Sequence, residues 1–298
     1  MSAGIERFRN DLLESARQMR AGDVSRATEV SHNNGGLMKA TIQAELKRIE
    51  QANDLRVLLA VESGSRAWGF ESATSDWDVR FIYVRRPEWY LSIQHRRHVV
   101  ELELEGDLDV SGWDLPKALN LFAKSNPPLL EWLRSPIVYA ESSSAAQQLR
   151  VLSDRFFSPR ACLYHYLHMA EGNYREYLCR DPVRLKKYFY VLRPVLAARW
   201  IEAHSAMPPM EFASLVDDQL PRVLREAVDE LLSRKRAGSE LAVGPRIPAI
   251  NDFLDGEITR LTALARAGVR AGAADIESLD QLFRATLDEV WSREEQRL

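Results

Sequence analysis

Two aspartates one residue apart, Asp76 and Asp78, follow a Gly64-Ser65 pair by about ten residues. On a strand, residues two apart face the same side, so these carboxylates would project together, roughly 7 Å apart at the backbone. Such a pair can converge on two Mg²⁺ ions, which require hard oxygen ligands and can hold the attacking and leaving oxygens of an in-line phosphoryl displacement. The Gly-Ser pair complements it. Gly64 lets the backbone approach a phosphate closely, and Ser65 offers a hydroxyl and an N–H near a helix start, where anions are favoured. Taken singly, an Asp-x-Asp is usually a solvated strand end and a Gly-Ser is usually a turn. Both at this one spacing arise by chance in about one chain of this length in a few hundred. No basic partner for Asp76 or Asp78 is evident from the sequence.

These residues need a strand, a turn and a second strand to position them, and the flanking patterns supply all three. Residues 55–61 form a short apolar run leading into Glu62-Ser63-Gly64-Ser65, which suits a buried strand entering a tight turn. Residues 78–84 are β-branched and aromatic, a second strand. Residues 98–105 and 108–111 alternate apolar with polar or acidic residues around Gly106-Asp107, predicting a hairpin with one wet face. Asp114 is placed to cap a helix carrying Leu115, Ala118, Leu119 and Phe122 on one side, ended by Asn126-Pro127-Pro128. From about residue 141 onward, 3.6-residue periodicity dominates, with segments near 141–156, 159–178 and 182–204 and several beyond. Near the N-terminus, a helix is expected over 1–31, a linker at the Asn/Gly run 31–36, and a second helix from Met38 to about residue 54. The division that follows is an extension over 1–37, a first domain over 38–140 and an all-helical domain over 141–298, with Met38 itself a candidate start.

Composition narrows the function classes. With 298 residues, 46% hydrophobic and 28% charged, a net charge of −3 and neither Gly nor Pro in excess, the chain is an ordinary globular protein. Its two cysteines, Cys162 and Cys179, build no disulfide framework and no four-cysteine zinc site, so a reducing, cytoplasmic setting and no disulfide-linked partner are expected. No stretch approaches the ~20 apolar residues of a bilayer span, and the first 20 residues lack a signal-peptide core. Cys162, His165 and His168 fall at i, i+3 and i+6, a spacing that could be drawn as a metal site, but without a fourth clear ligand they read as core. Trp68, Trp77 and Trp113 flank the motif and read as packing rather than as base platforms. His95, Arg96, Arg97 and His98 would serve equally as a nucleic-acid contact or as a charged hairpin edge.

Beyond the Gly-Ser and Asp-x-Asp spacing, which resembles the signature of the polymerase-β-like nucleotidyltransferases, longer stretches resemble one family. Residues 61–70, 75–83, 112–115, 126–139 and 186–194 are similar to the RlaP/YcgL family of bacterial and phage nucleotidyltransferases, over about 38–209 of the chain. The resemblance implies an α/β nucleotidyltransferase domain, a mixed β-sheet with flanking helices, followed by a helical domain. It implies binding of an NTP such as ATP with two Mg²⁺, or Mn²⁺, and an association with RNA repair. It also implies a third carboxylate from a neighbouring strand. Asp107 lies at the predicted turn, where Asp is common for backbone reasons, and Asp114 suits a cap. Asp109, between Leu108 and Val110, would be costly to bury without a metal or partner, and is chosen as third metal ligand and catalytic group.

In related nucleotidyltransferases a helical domain supplies Lys and a hydroxyl to the triphosphate. Residues 150–199 carry ten Lys/Arg against four Asp/Glu, a local excess inside an acidic chain. On a helix from Pro182, Lys186, Tyr190 and Arg193 fall at i, i+4 and i+7, one basic face with Lys187 beside it. The expected nucleotide contacts are therefore Gly64, Ser65, Arg66, Lys186, Lys187, Tyr190 and Arg193, with Asp76, Asp78 and Asp109 as catalytic metal ligands and Arg66 preferred over Arg80 for phosphate. The reaction expected is transfer of a nucleoside monophosphate from an NTP to an acceptor hydroxyl, an RNA end being favoured. The rivals are nucleotidylation of a protein or small molecule, and a non-catalytic nucleotide- or RNA-binding protein of the same fold.

Overall fold

A computed structural model describes residues 27–102, 107–237, 243–267 and 275–295. The first long helix, α1 (Ala27–Asn53), leads into β1 (Leu55–Glu62), a one-turn helix α2 (Gly64–Ala67) and β2 (Trp77–Arg85). A short α3 (Pro87–Tyr90) precedes the edge strand β3 (Val99–Leu102), then β4 (Leu108–Asp114), α4 (Leu115–Phe122), α5 (Pro127–Leu133) and β5 (Val138–Glu141). The sheet order is β3-β4-β2-β1-β5, with β2 and β4 parallel and every other pairing antiparallel. It is a mixed sheet, as the family resemblance implied.

One face of that sheet is closed by α1, whose Ile42, Leu46 and Ile49 pack with Val57, Val79, Phe81 and Tyr83. Leu58, Leu59, Val61, Ile82 and Val84 join a larger core shared with the helical half. A register shift in β1 between Val57 and Leu59 turns the strand over, which is why Val57 and Ala60 share one face while Leu59 and Val61 share the other. Where β4 passes β2, Gly112 lies opposite Phe81, and a Cβ there would stand 2.2 Å from the ring. The phenyl ring fills the space a side chain would need.

The helical half comprises α6 (Ala145–Phe156), α7 (Pro159–Tyr177), α8 (Phe189–His204), α9 (Phe212–Gln219), α10 (Arg225–Arg236), α11 (Pro248–Ala267) and α12 (Ile276–Glu295), with a two-stranded pair β6 (Val183–Arg184) and β7 (Val243–Gly244). At its centre α8 is buried on nearly all sides, which suits a helix apolar around its circumference. Among the described residues no helix is long and apolar enough to cross a membrane.

Three expectations change. α1 runs through residues 31–36, read above as a linker; local Asn/Gly propensity is a weak prior that a longer helix overrides. The expected helix over 1–31 and the turn at residue 106 lie outside the described residues in whole or part. Asp114 does hold the N-cap position of α4, but its side chain makes no capping bond: buried, it accepts from Tyr90 Oη at 2.6 Å and pairs with His98 Nδ1 at 2.9 Å. Asn126, expected to end α4, caps α5 instead, accepting from Leu129 N–H at 3.2 Å.

Replacing Gly112 with Ala should lower stability by about 1–3 kcal/mol through overpacking against Phe81. A thermal melt of the variant that coincides with the parent would refute the close approach.

Candidate active site

The site begins where β1 ends. Ser63 N–H donates to Asp78 O at 2.8 Å, and Asp78 N–H returns a bond to the Glu62 carboxylate at 2.9 Å. Gly64 then turns with φ of +62°, and a Cβ at that position would fall 2.0 Å from Asp78 Oδ2. The Asp78 carboxylate is therefore tucked against the turn in the space left by the missing side chain. Phe70 N–H bonds Ser65 O at 3.1 Å, and Arg66 reaches over to Ser75 O at 2.6 Å and Asp76 O at 3.2 Å while its guanidinium stacks 3.7 Å over Trp77. Those bonds clamp the loop that delivers Asp76 to the exposed lip of β2.

Parallel register places Asp109 of β4 directly beside Asp78. Asp107 is two residues upstream, its carbonyl accepting from Trp77 N–H at 2.6 Å, and Asp114 is at the far end of the strand. The burial argument that singled out Asp109 does not hold, because its side chain is 57% exposed; strand register is what brings it to Asp78. Arg80, two residues along β2, spans the pair, with one nitrogen 2.7 Å from Asp109 and 3.3 Å from Asp78. The absence of a basic partner expected above is thus corrected. Asp78 is nevertheless raised above the usual carboxylate range, by burial first, with Asp109 and Asp76 adding repulsion against the pull of Arg80. Among the described residues, no three ligating groups already converge on a metal-sized point.

Across the cleft the helical half contributes Tyr190, whose hydroxyl is raised by burial and then by the fields of Asp78 and Asp76. Lys187 lies 3.9 Å over the Tyr177 ring and 4.9 Å from Tyr190, its ammonium lowered by burial and then by Lys186. Lys186 is exposed beside it. Residues 185–188 form a 3₁₀ turn after β6, so Lys186 is not on the α-helical face that the i, i+4, i+7 spacing assumed. Arg193 faces the interior: it is 3% exposed, 2.9 Å from Glu131 and stacked 4.3 Å over Trp68. That placement makes it a buried ion pair between the two halves, and it leaves the expected basic face.

Residues 38–285 match a family described as RlaP, an RNA repair pathway DNA polymerase beta family. The chain belongs to the RlaP family. It is also similar, at 50% identity over 256 residues, to the uncharacterized protein YcgL of Bacillus subtilis (strain 168), covering 85% of this chain and 98% of that one. A solved nucleotidyltransferase-like protein from Exiguobacterium sibiricum 255-15 aligns over 77% of this chain and 75% of its own, at 10% identity and a TM-score of 0.30.

Within this RlaP chain two site residues have no signal in the motif spacing. Lys235, at the end of α10, lies 5.5 Å from the Phe70 ring; its ammonium is lowered by burial and by Lys186 and pulled back by Asp76 and Glu71. Its neighbour Arg236 donates to Gly69 O at 3.1 Å. The run Arg234-Lys235-Arg236 is visible in the sequence, but nothing local says that it crosses to the Gly-Ser turn. Glu62 is the second. Fully buried beneath Asp78, it also accepts from Tyr139 Oη, and burial pushes its carboxyl up to about 7. The other candidates resolve as packing: Cys162 Sγ donates to Ser125 O at 3.0 Å within the core, and Trp113 stacks on Trp132 with centroids 4.0 Å apart.

A Gly64→Ala variant should lose about 1–3 kcal/mol, from the left-handed backbone alone before any displacement of Asp78. Denaturant titration checks it. Glu62 also makes a pH statement. With its native pKa above the ordinary 4.5, the folded state holds the proton longer than the unfolded one, so this group's contribution to stability falls as pH rises from about 4.5 to 7. Glu62→Gln should flatten that part of the melting-temperature profile, and an unchanged slope would contradict the assignment.

Proposed function

We propose that this chain is a metal-dependent nucleotidyltransferase that moves a nucleoside monophosphate from an NTP to an acceptor hydroxyl, the acceptor being an RNA end. The observation that carries the reading is the meeting of Asp78 and Asp109 across parallel strands directly under the Gly64-Ser65 turn, facing lysines from the helical half. The donor set fits a hard divalent cation, since Asp76, Asp78 and Asp109 present only carboxylate oxygens. Mg²⁺ or Mn²⁺ held there would neutralise phosphate charge and stabilise the leaving oxygen. Arg80 would release one carboxylate as the cation arrives.

Each residue then has a task. The triphosphate lies along the turn, with the backbone and hydroxyl of Ser65 at its phosphates and Lys186, Lys187 and Lys235 on the β and γ groups; among the described residues none of these lysines has a carboxylate within ion-pair distance. Tyr190 contributes a hydroxyl from α8. Arg66 holds the loop and acts on phosphate through position rather than contact. Asp109 orients the acceptor hydroxyl and takes its proton as the oxygen attacks the α-phosphorus; the bond to the bridging oxygen breaks and pyrophosphate leaves. Positioning and charge account for most of the rate. The RNA acceptor is supported by the family description, which links RlaP to RNA repair. Free cysteines suit a cytoplasmic setting.

One observation favours the rival class. Arg80 bridges Asp78 and Asp109 and offsets part of their charge, which a non-catalytic nucleotide binder could rely on. Incubation with each labelled NTP, Mg²⁺ and bacterial RNA separates the two, because a binder retains nucleotide and transfers no label.

Asp78→Asn and Asp109→Asn should each reduce transfer by about 10²-fold or more, the scale of losing one electrostatic contact to a transition state. Asp107→Asn should cost little. Equal activity of Asp109→Asn and the parent at saturating nucleotide would remove Asp109 from the site. Lys235→Ala should weaken NTP binding by about tenfold or more and NMP binding much less, since a charge-assisted contact to the outer phosphates is worth about 1.5–3 kcal/mol. Equal losses for the two nucleotides would return Lys235 to a packing role.

A further inference from the structure

The cleft above lies at the Asp78 end of β2. At the other end of that strand, roughly 23 Å away for seven residues at ~3.3 Å each, Arg85 is 8% exposed and its guanidinium stacks 3.9 Å over the Trp89 ring. Arg96 stands 4.1 Å from the same ring, and Arg85 donates to Asn53 O. A cavity of about 280 Å³ opens here, lined by Arg85, Arg86 and Arg96 together with Asn53, Trp89 and the carboxylates of Asp54 and Glu88. Asp54 is engaged by Arg86 at 3.4 Å.

Two donors on the lining side chains lack partners among the described residues, both just beneath the solvent-open surface. Arg85 Nε and Trp89 Nε1 are both buried without a hydrogen-bond partner among the described residues, at a cost of about 1–3 kcal/mol for each such group. Arg96 is exposed and has no carboxylate within ion-pair distance among them. Unsatisfied N–H groups beside a guanidinium fork call for an oxyanion with several acceptor oxygens. Beyond Arg96 the chain continues through Arg97, paired with Glu101, and His98, paired with Asp114, which leaves Arg96 as the exposed cation of this stretch without a carboxylate partner among the described residues.

We propose that this cavity binds a backbone phosphate of the nucleic-acid strand whose end is presented to Asp109. The inference rests on the RNA-acceptor reading and adds a second contact to it. A strand phosphate suits the site better than a free nucleotide: Arg86 and Arg96 are exposed, so a phosphodiester can enter while the rest of the polymer stays in solvent, whereas a nucleotide pocket encloses most of its ligand. An odd number of positions separates Asp78 from Arg85, so the two sites face opposite sides of the sheet. The ~23 Å is therefore the shortest separation, and at ~3.4 Å per stacked nucleotide a strand passing round the sheet edge needs well over about seven nucleotides.

The test uses Arg96→Ala in the full chain, an exposed position whose truncation leaves the core intact, and Arg85→Lys, which keeps charge and removes the Nε donor. Fluorescence anisotropy with 5′-labelled RNAs of 4 and 16 nucleotides should show the 16-mer bound about tenfold more weakly by Arg96→Ala, with its salt slope reduced by about one, and the 4-mer unchanged. Arg85→Lys should act in the same direction wherever its melt matches the parent. Equal effects on both lengths, or none on the 16-mer, overturn the proposal. So does thermal stabilisation by inorganic phosphate that Arg96→Ala abolishes while 16-mer affinity stays intact, since the occupant is then a free anion. If Arg96→Ala weakens the 16-mer but no RNA accepts label, the second contact stands and the transfer reading falls. Label transfer to RNA with a neutral Arg96→Ala has the opposite meaning.

Discussion

The site depends on one steric fact: the Asp78 carboxylate occupies the space that a side chain at position 64 would fill. Because Gly64 yields that space and accepts a positive φ, β1 and β2 stay paired up to the turn, with Ser63 and Glu62 each bonded to the Asp78 backbone. Two more placements follow. The loop after α2 leaves at an angle that Arg66 can clamp, and β4, in parallel register with β2, sets Asp109 at the same level as Asp78. A larger residue at 64 would disturb the chain of contacts at its origin.

Charge is managed in layers around that point. Below Asp78, Glu62 is buried with its carboxyl pushed up to about 7, so the negative charge it adds beneath Asp78 is suppressed at lower pH and only partial near neutrality. Beside it, Arg80 joins Asp78 to Asp109. Across the cleft, Lys186, Lys187 and Lys235 have no carboxylate within ion-pair distance among the described residues, and burial lowers two of them, Lys187 and Lys235, against the weaker pull of Glu176 on the first and of Asp76 and Glu71 on the second. In the proposed reaction a polyanionic ligand would supply negative charge to the lysines, and a divalent cation would compete with Arg80 for the carboxylates.

The two halves are tied by a buried polar group rather than by apolar packing alone. Glu131 of α5 accepts from Tyr166 Oη at 2.5 Å, Arg193 at 2.9 Å and Trp68 Nε1 at 3.4 Å, joining α5, α7, α8 and the residue after α2. Breaking one member of such a network leaves the others buried and unpaired, so Arg193 is held as a tie between the two halves of the fold.

What the sequence by itself determined is what local rules carry. The strand-turn-strand around Gly64-Ser65 and Asp76/Asp78, the β3–β4 pairing and the helical second half all follow from periodicities of two and 3.6 residues and from the conformational freedom of glycine, and the quoted stretches sufficed for the family. Tertiary structure decided the rest. Which of Asp107, Asp109 and Asp114 stands beside Asp78 depends on the register between strands whose paired residues are 31 positions apart, a choice that β4's own pattern leaves open. Arg193 and Lys186 share a spacing that looks like one face, yet a 3₁₀ turn separates them and burial claims the arginine. Lys235 reaches Phe70 from α10 across 165 positions of chain, and only packing of the helical half against the sheet brings it there. A side chain's neighbours along an element are set by backbone geometry, whereas its neighbours across elements are set by how whole faces close over the core.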